Sequence, residues 1–297
     1  MSTLTSDLDN PVHPVTIWLT QTFPYRDQWV GGLLARVMAA RPIALNPPTP
    51  VLFGRAFEYA IGLDLATADP YPQLLEAIPP RHAAWLLTAA GYMPEAGTER
   101  WLRRTSASGR RKRSVQVHAA AWYLAYLQDV LHTIGGKDPQ RCRQVVETVM
   151  ADVSVPRGAF TAAAPTMLAF WRGHLASTHE PLQRLGLVTT GPVVYPGYAT
   201  ADLIAGTTLV EIKTGWIDEE NIRKTLNQII SYALLAGPAG HAVTSIAVHL
   251  ARYRLLIHDP LQTLANELAG KPVDIGAAAG NFATVVSASR PHGYGNK

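Results

Sequence analysis

Among its 297 residues the chain has a single cysteine, Cys142. One thiol excludes an intrachain disulfide, a four-cysteine zinc site and a cysteine-ligated iron-sulfur cluster. Lysine is also scarce, with six against twenty arginines. No uninterrupted apolar run is long enough to cross a bilayer, which argues against a membrane partner. The stretch from Met1 to Pro11 is polar and acidic, without the basic start and apolar centre of a signal peptide, so the expected compartment is the cytoplasm. No internal repeat is present.

Against these absences stands a hydrophobic content of 47%, ample for a core in one large or two small domains. The net charge of +4 gives a mild preference for polyanionic partners. The arginine excess fits bidentate phosphate recognition, and it fits a GC-rich coding sequence equally well.

Convergent charge on predicted strands occurs only between residues 192 and 215. Two β-branched and apolar runs, 199–205 and 208–214, flank Gly206-Thr207, and a glycine first in a two-residue loop suits a type II′ hairpin turn. Pairing Ala205 with Thr208 then sets Ile204 against Leu209, Leu203 against Val210 and Asp202 against Glu211. Like charges directly opposed on a sheet are destabilising unless something neutralises them, which a divalent cation does. Lys213 follows Glu211 by two residues on the same strand face, while Val210 and Ile212 point the other way. Two carboxylates, a hard cation and an ammonium suit phosphodiester hydrolysis. A surface hairpin with a solvated Glu-Lys pair is the plainer reading of the same residues.

Three stretches in order, Gly197-x4-Asp202, Leu209-Val210-Glu211-Ile212-Lys213-Thr214-Gly215 and Gln228-x3-Tyr232, resemble the PD-(D/E)XK nuclease superfamily, specifically its RecB-like exonuclease branch without an iron-sulfur cluster. The close match covers about 45 residues. The resemblance implies that Asp202 and Glu211 bind Mg²⁺ or Mn²⁺ with Ile212 among the metal ligands, that Lys213 is catalytic, and that Gln228 and Tyr232 assist from a helix. It also implies an α/β (α+β) fold, with a small mixed sheet flanked by helices and a large N-terminal helical region. In that branch a glycine followed four residues later by His or Glu opens the nuclease domain, and Gly54-x3-Glu58 is similar to it. Glu58 would then be a further catalytic and metal-binding residue, although it lies 144 residues before Asp202 and is equally a surface acid on an amphipathic helix. His118 is the reserve candidate, and an ordinary helix histidine is its plainer reading.

Taken in order, residues 1–12 read as disordered, Val15–Thr20 as a short strand and Arg26–Ala40 as a helix. Residues 51–65 have helical spacing, and Pro70 to Leu185 reads as helical throughout, including Ala96–Arg104, Val115–Thr133 and Pro165–Ser177. Residues 219–236 form a helix that starts with acids and stops before Gly237-Pro238, with Gln228 and Tyr232 on one face. Strands at Ser245–Leu250 and Tyr253–His258 and helices to Ala269 and near Ile275 to Val286 complete the pattern. The expected organisation is an extension at 1–50, a nuclease domain at 51–275 with a helical insertion at about 66–185 and a catalytic core at about 186–270, and a tail at 276–297.

Arg103, Arg104, Arg110, Arg111, Lys112 and Arg113 surround a Ser/Gly-rich centre. They read as an arm that grips phosphates, or as a solvated loop. Tryptophans 85, 101, 122 and 171 are candidates for base stacking, with core packing the commoner use of such residues. The expected function is a metal-dependent DNA nuclease, an exonuclease acting on linear or single-stranded ends, in repair, recombination or defence. The alternatives are a non-cleaving nucleic-acid-binding subunit of a helicase or defence complex, and an RNase or endonuclease on the same fold.

Overall fold

The Gly206-Thr207 turn has the expected register. Leu203 pairs with Val210, Ile204 with Leu209 and Ala205 with Thr208, and Gly206 takes φ +58° as a type II′ turn requires at its first position. In the computed structural model, which describes residues 3–103, 110–133, 139–152 and 154–290, this hairpin supplies β1 (Leu203–Ala205) and β2 (Thr208–Lys213) of a mixed five-stranded sheet. Next to β2 comes β3 (Ser245–Leu250), and next to β3 comes its antiparallel partner β4 (Leu255–Pro260). The amides of Thr244 and Ser245, just before β3, donate to the carbonyl of Thr207, just before β2, at 2.9 and 3.3 Å. Strands β2 and β3 therefore start from one end of the sheet and run parallel.

A parallel pair needs a long crossover, which the helix Glu219–Ala236 provides. Asp218 caps that helix by accepting from the Asn221 amide at 2.8 Å, and Glu219 and Glu220 follow in the first turn, where the helix dipole favours acids. Its apolar stripe of Ile222, Leu226, Ile229 and Ala233 is buried with Leu209, Ile246 and Val248. Strand β2 is buried from Thr208 to Ile212, on both faces. The face that carries Glu211 is therefore covered as well as that of Val210 and Ile212: β2 is a central strand, and a central strand in a covered sheet has no wet face.

The chain divides into two compact units, described in turn. The first comprises the described parts of 1–41, 192–212 and 216–297. From Thr3 on, its N-terminal segment is ordered, against the disorder expected for 1–12, of which residues 1 and 2 lie outside the described residues. The helix Leu4–Leu8 buries Leu4 and Leu8, Thr3 caps it, and the Tyr198 hydroxyl donates to Asp7 at 2.7 Å. Val15–Thr20, expected as a strand, lies in the helix Pro14–Thr22. Proline at the first helical position, the His13 ring accepting from the Val15 amide, and Val15 and Leu19 four apart on one buried side outweigh the β-branched composition. Past the sheet, the helix Ile275–Ser289 buries Phe282 and Val286 in the same core.

The second unit comprises the described parts of 42–191 with 213–215. The helix Pro50–Leu65 buries Phe53 and Phe57, whose rings meet Phe170 edge-on with centroids 5.1 and 5.7 Å away. Phe170 lies on the helix Ser154–His174, which contains Pro165 in its interior, where the sequence suggested a start. Where a helix was expected at Ala96–Arg104, the chain forms an antiparallel hairpin, Tyr92–Pro94 with Trp101–Arg103. Long-range bonding decides this: the Arg103 amide donates to Thr67 and the Trp101 amide to the Asp69 carboxylate, so residues 67–69 take up polar groups that a helix would have used internally. The basic segment also differs from expectation, because Arg110 to Arg113 open the helix Arg110–Thr133 and do not extend a loop.

Candidate active site

The hairpin ladder stops at Leu203 and Val210, leaving Asp202 one position beyond it at the mouth of β1. The Asp202 carboxylate accepts from the Ile212 amide at 2.7 Å. That bond fixes Asp202 against the backbone between Glu211 and Lys213, the two side chains on the other face from Ile212. Glu211 is only 1% exposed, on the strand face that also carries Leu209 of the first unit's core. Taking a carboxylate out of water costs several kcal/mol before compensation, so a central strand does not carry one for packing.

The crossover helix brings Gln228 and Tyr232 to this pair. The Gln228 amide nitrogen donates to the Tyr232 hydroxyl at 3.2 Å, as two residues four apart on one helical face can. Tyr232 is 5% exposed. Burial, and after it the negative charge of Glu211 and more weakly that of Asp202, pushes its hydroxyl up to about 12, opposed by hydrogen bonds from Thr5 and Gln228. The tyrosine therefore stays a neutral hydroxyl and feels both carboxylates. Asp202, Glu211, Gln228 and Tyr232 are thus brought together, and Lys213 ends the strand that carries Glu211.

Glu58 lies half-buried on the helix Pro50–Leu65, one turn beyond Gly54, and its backbone carbonyl accepts from the Tyr71 hydroxyl at 3.2 Å. A side chain at Gly54 would come within 3.0 Å of Thr214 Oγ1, so the glycine lets this helix lie close to the segment following Lys213. His118 is 1% exposed and meets the Trp171 ring edge-on at 4.7 Å. Burial lowers its pKa to about 4 against a small opposing pull from Asp64. It is a core residue of the second unit, the plainer of its two readings.

Among the described residues, no group of three or more His, Cys, Asp or Glu side chains is arranged to hold a metal ion. Mg²⁺ is commonly held by one or two carboxylates with waters and substrate oxygens completing the octahedron, so the hard oxygen pair of Asp202 and Glu211 fits such an ion. Main-chain Ile212 presents its amide to the Asp202 carboxylate.

Of the six basic residues read as a phosphate-gripping arm, Arg103 lies in a strand of the second unit. Its guanidinium ion-pairs with Asp64 and donates to the Leu63 carbonyl at 3.3 Å, which makes it a structural tie of the second unit. Arg104 lies outside the described residues, and Arg110, Arg111, Lys112 and Arg113 are placed by their backbone at a helix start. Of the four tryptophans, Trp122 and Trp171 are core residues.

The sequence reading missed Trp216. It is 53% exposed three residues after Lys213, and the Arg252 guanidinium lies 4.2 Å from its ring centroid. An aromatic directly past the Lys213-Thr214-Gly215 strand end was the signal that could have found it. A cleft of about 300 Å³ elsewhere in the first unit, lined by Tyr25, Trp29, Arg36 and Asp259 among others, contains none of the residues above. No helix among the described residues is long and apolar enough to cross a membrane. Compared with protein-family descriptions, curated proteins and solved structures, the chain matches none.

Proposed function

We propose that the chain is a metal-dependent nuclease of the RecB-like PD-(D/E)XK kind that hydrolyses DNA phosphodiester bonds, with exonuclease action. The observation that carries this reading is the meeting of the Asp202 carboxylate, the buried Glu211 and the neutral Tyr232 hydroxyl beside the strand that ends in Lys213. Asp202, Glu211 and the Ile212 carbonyl are the groups to hold Mg²⁺ or Mn²⁺. When bound, the ion polarises the scissile phosphate and acidifies water. Lys213 supplies a positive charge that orients the nucleophile and offsets charge developing on the phosphoryl oxygens. Gln228 holds the Tyr232 hydroxyl, which as an un-ionised donor serves a phosphate oxygen or the attacking water.

The test is a degradation assay on end-labelled linear and circular DNA and on RNA, with Mg²⁺, Mn²⁺ or chelator, using wild type, Lys213→Ala and Asp202→Ala. Loss of linear DNA with circular DNA surviving is the exonuclease outcome. Lys213→Ala is expected to lose turnover while keeping metal and substrate binding, and Asp202→Ala to lose both turnover and the thermal stabilisation that Mn²⁺ gives by mass action. Cleavage by Lys213→Ala at the wild-type rate refutes the assignment. Binding with no cleavage by the wild type makes the chain a non-cleaving subunit instead.

A further inference from the structure

Trp216 occupies a particular edge of the sheet. Strands β2 and β3 are parallel, so Lys213 and Leu250 end at the same edge, and β1, antiparallel to β2, begins there just after Asp202. Substrates of open α/β sheets gather outside the carboxyl ends of their parallel strands. Trp216 follows the end of β2, and Arg252 lies in the single turn Ala251–Tyr253 that follows the end of β3. The two residues meet across this edge, with the guanidinium carbon 4.2 Å from the indole centroid.

The pair is held from below. Arg252 is only 2% exposed, and the Tyr253 hydroxyl accepts from the Ile217 amide at 3.1 Å, which ties down the residue after the tryptophan. Trp216 is the reverse case: its indole is 53% exposed although it is the largest apolar side chain on offer. A buried arginine under an exposed, anchored indole does not serve a core. It forms a platform held on one face by a cation–π contact, and an aromatic so held loses little freedom when something settles on its open face.

We infer that Trp216, backed by Arg252, is a stacking platform for an unpaired nucleobase, and that it makes the site select single-stranded nucleic acid over duplex. This inference rests on the phosphodiesterase reading and deepens it by naming the substrate form. Chemistry supports an unpaired base as the occupant, because every base offers a π-face to an indole and a base inside a duplex has both faces covered. Only Thr214 and Gly215 separate Trp216 from Lys213, so the span is at most about 11 Å, within reach of the nucleotide next to a scissile phosphate.

The experiment measures affinity in chelator, where no cleavage competes, for a labelled twelve-nucleotide oligothymidine and for a blunt-ended duplex of the same length. Wild type, Trp216→Ala and Trp216→Phe are compared, with melting temperatures to verify folding and indole fluorescence as a second readout. Trp216→Ala is expected to weaken single-strand binding about tenfold or more, to leave duplex binding within about twofold, and to lose most of the fluorescence quenching seen on titration. Trp216→Phe should recover most of the affinity, and the slope of affinity against salt should be the same in all three, since no phosphate contact changes. Equal loss on both substrates, no loss on either, or failure of phenylalanine to restore binding overturns the platform. Wild-type binding and metal-dependent cleavage that Trp216→Ala leaves unaltered refute this inference alone. Absence of wild-type binding to either nucleic acid overturns the nuclease reading with it.

Discussion

Lowering the pH should destabilise the second unit through one side chain, His118. Its ring is 1% exposed, edge-on to Trp171, and neither ring nitrogen has a hydrogen-bond partner among the described residues. Burial is the main cause of its depressed pKa, from 6.5 to about 4, with the Asp64 charge pulling weakly the other way. The sign follows from which state binds the proton. Between about pH 6.5 and pH 4 the unfolded chain protonates this imidazole and the folded chain does not, so its contribution is fully present above 6.5 and is lost as the pH falls toward 4. A midpoint moved that far is worth about 3 kcal/mol, a large part of an ordinary domain's stability. The assay is urea unfolding of wild type and His118→Phe, followed by tryptophan fluorescence, at about pH 7.5 and about pH 4.5. Titration of every other group, including the fully buried His249, is common to both proteins and cancels in the comparison. Phenylalanine keeps an aromatic ring against Trp171 and cannot titrate, so its advantage over wild type should grow by about 2–3 kcal/mol on acidification. Stability curves that stay parallel across that range would show that His118 is hydrated or partnered in the folded state. The variant should also keep any Mn²⁺-induced stabilisation, because a core histidine takes no part in binding the ion.

Arg103→Ala should cost about 1–3 kcal/mol by leaving Asp64 without its guanidinium partner in a half-buried setting, as urea unfolding will measure. Neutralising Arg110, Arg111, Lys112 and Arg113 together should flatten the salt dependence of DNA binding, and an unchanged salt slope argues against their gripping phosphates. Gly54→Ala should lose about 1–3 kcal/mol, or displace Thr214 with a drop in cleavage, since the added methyl would lie 3.0 Å from Thr214 Oγ1; wild-type stability and activity would show that the helix has room to give. Tyr232→Phe should lower turnover by about tenfold, the worth of one hydrogen bond, with Mn²⁺ stabilisation retained in a thermal shift assay, and no change in rate removes the hydroxyl from the site.

The parts of the fold that were legible in the sequence are those whose signals are local. The hairpin at Gly206-Thr207 follows from a glycine where a turn requires positive φ, and the crossover helix from an aspartate cap, two leading acids and a terminal glycine. What was illegible depends on partners far away in the chain. Ala96–Arg104 has helical spacing, yet it forms a hairpin because residues 67–69 take its backbone bonds. Val15–Thr20 has strand composition and becomes a helix because its capping pair, His13 and Pro14, sits just outside the window that composition reads. Arg103 looked like one of six solvated cations until Asp64, 39 positions earlier in the chain, came to meet it.

The candidate site divides along the same line, and the division bears on its chemistry. Asp202, Glu211 and Lys213 could be placed by counting from a turn, and the count holds for the three pairs of the ladder. It does not give the orientation of Asp202, which the Ile212 amide sets, or the depth of Glu211, which exists because β2 is central and covered. Those two features decide what the carboxylates can do. At a wet hairpin edge Asp202 and Glu211 would be screened and would hold a cation weakly. With Glu211 almost fully buried and the Tyr232 hydroxyl held neutral, any charge the pair carries is poorly screened by water, and a bound cation offsets it more strongly there than at a wet edge. Trp216 was overlooked for a related reason: as a residue type it signals core, and only its exposure, together with an arginine drawn underneath it from the neighbouring strand's end, distinguishes a platform from packing.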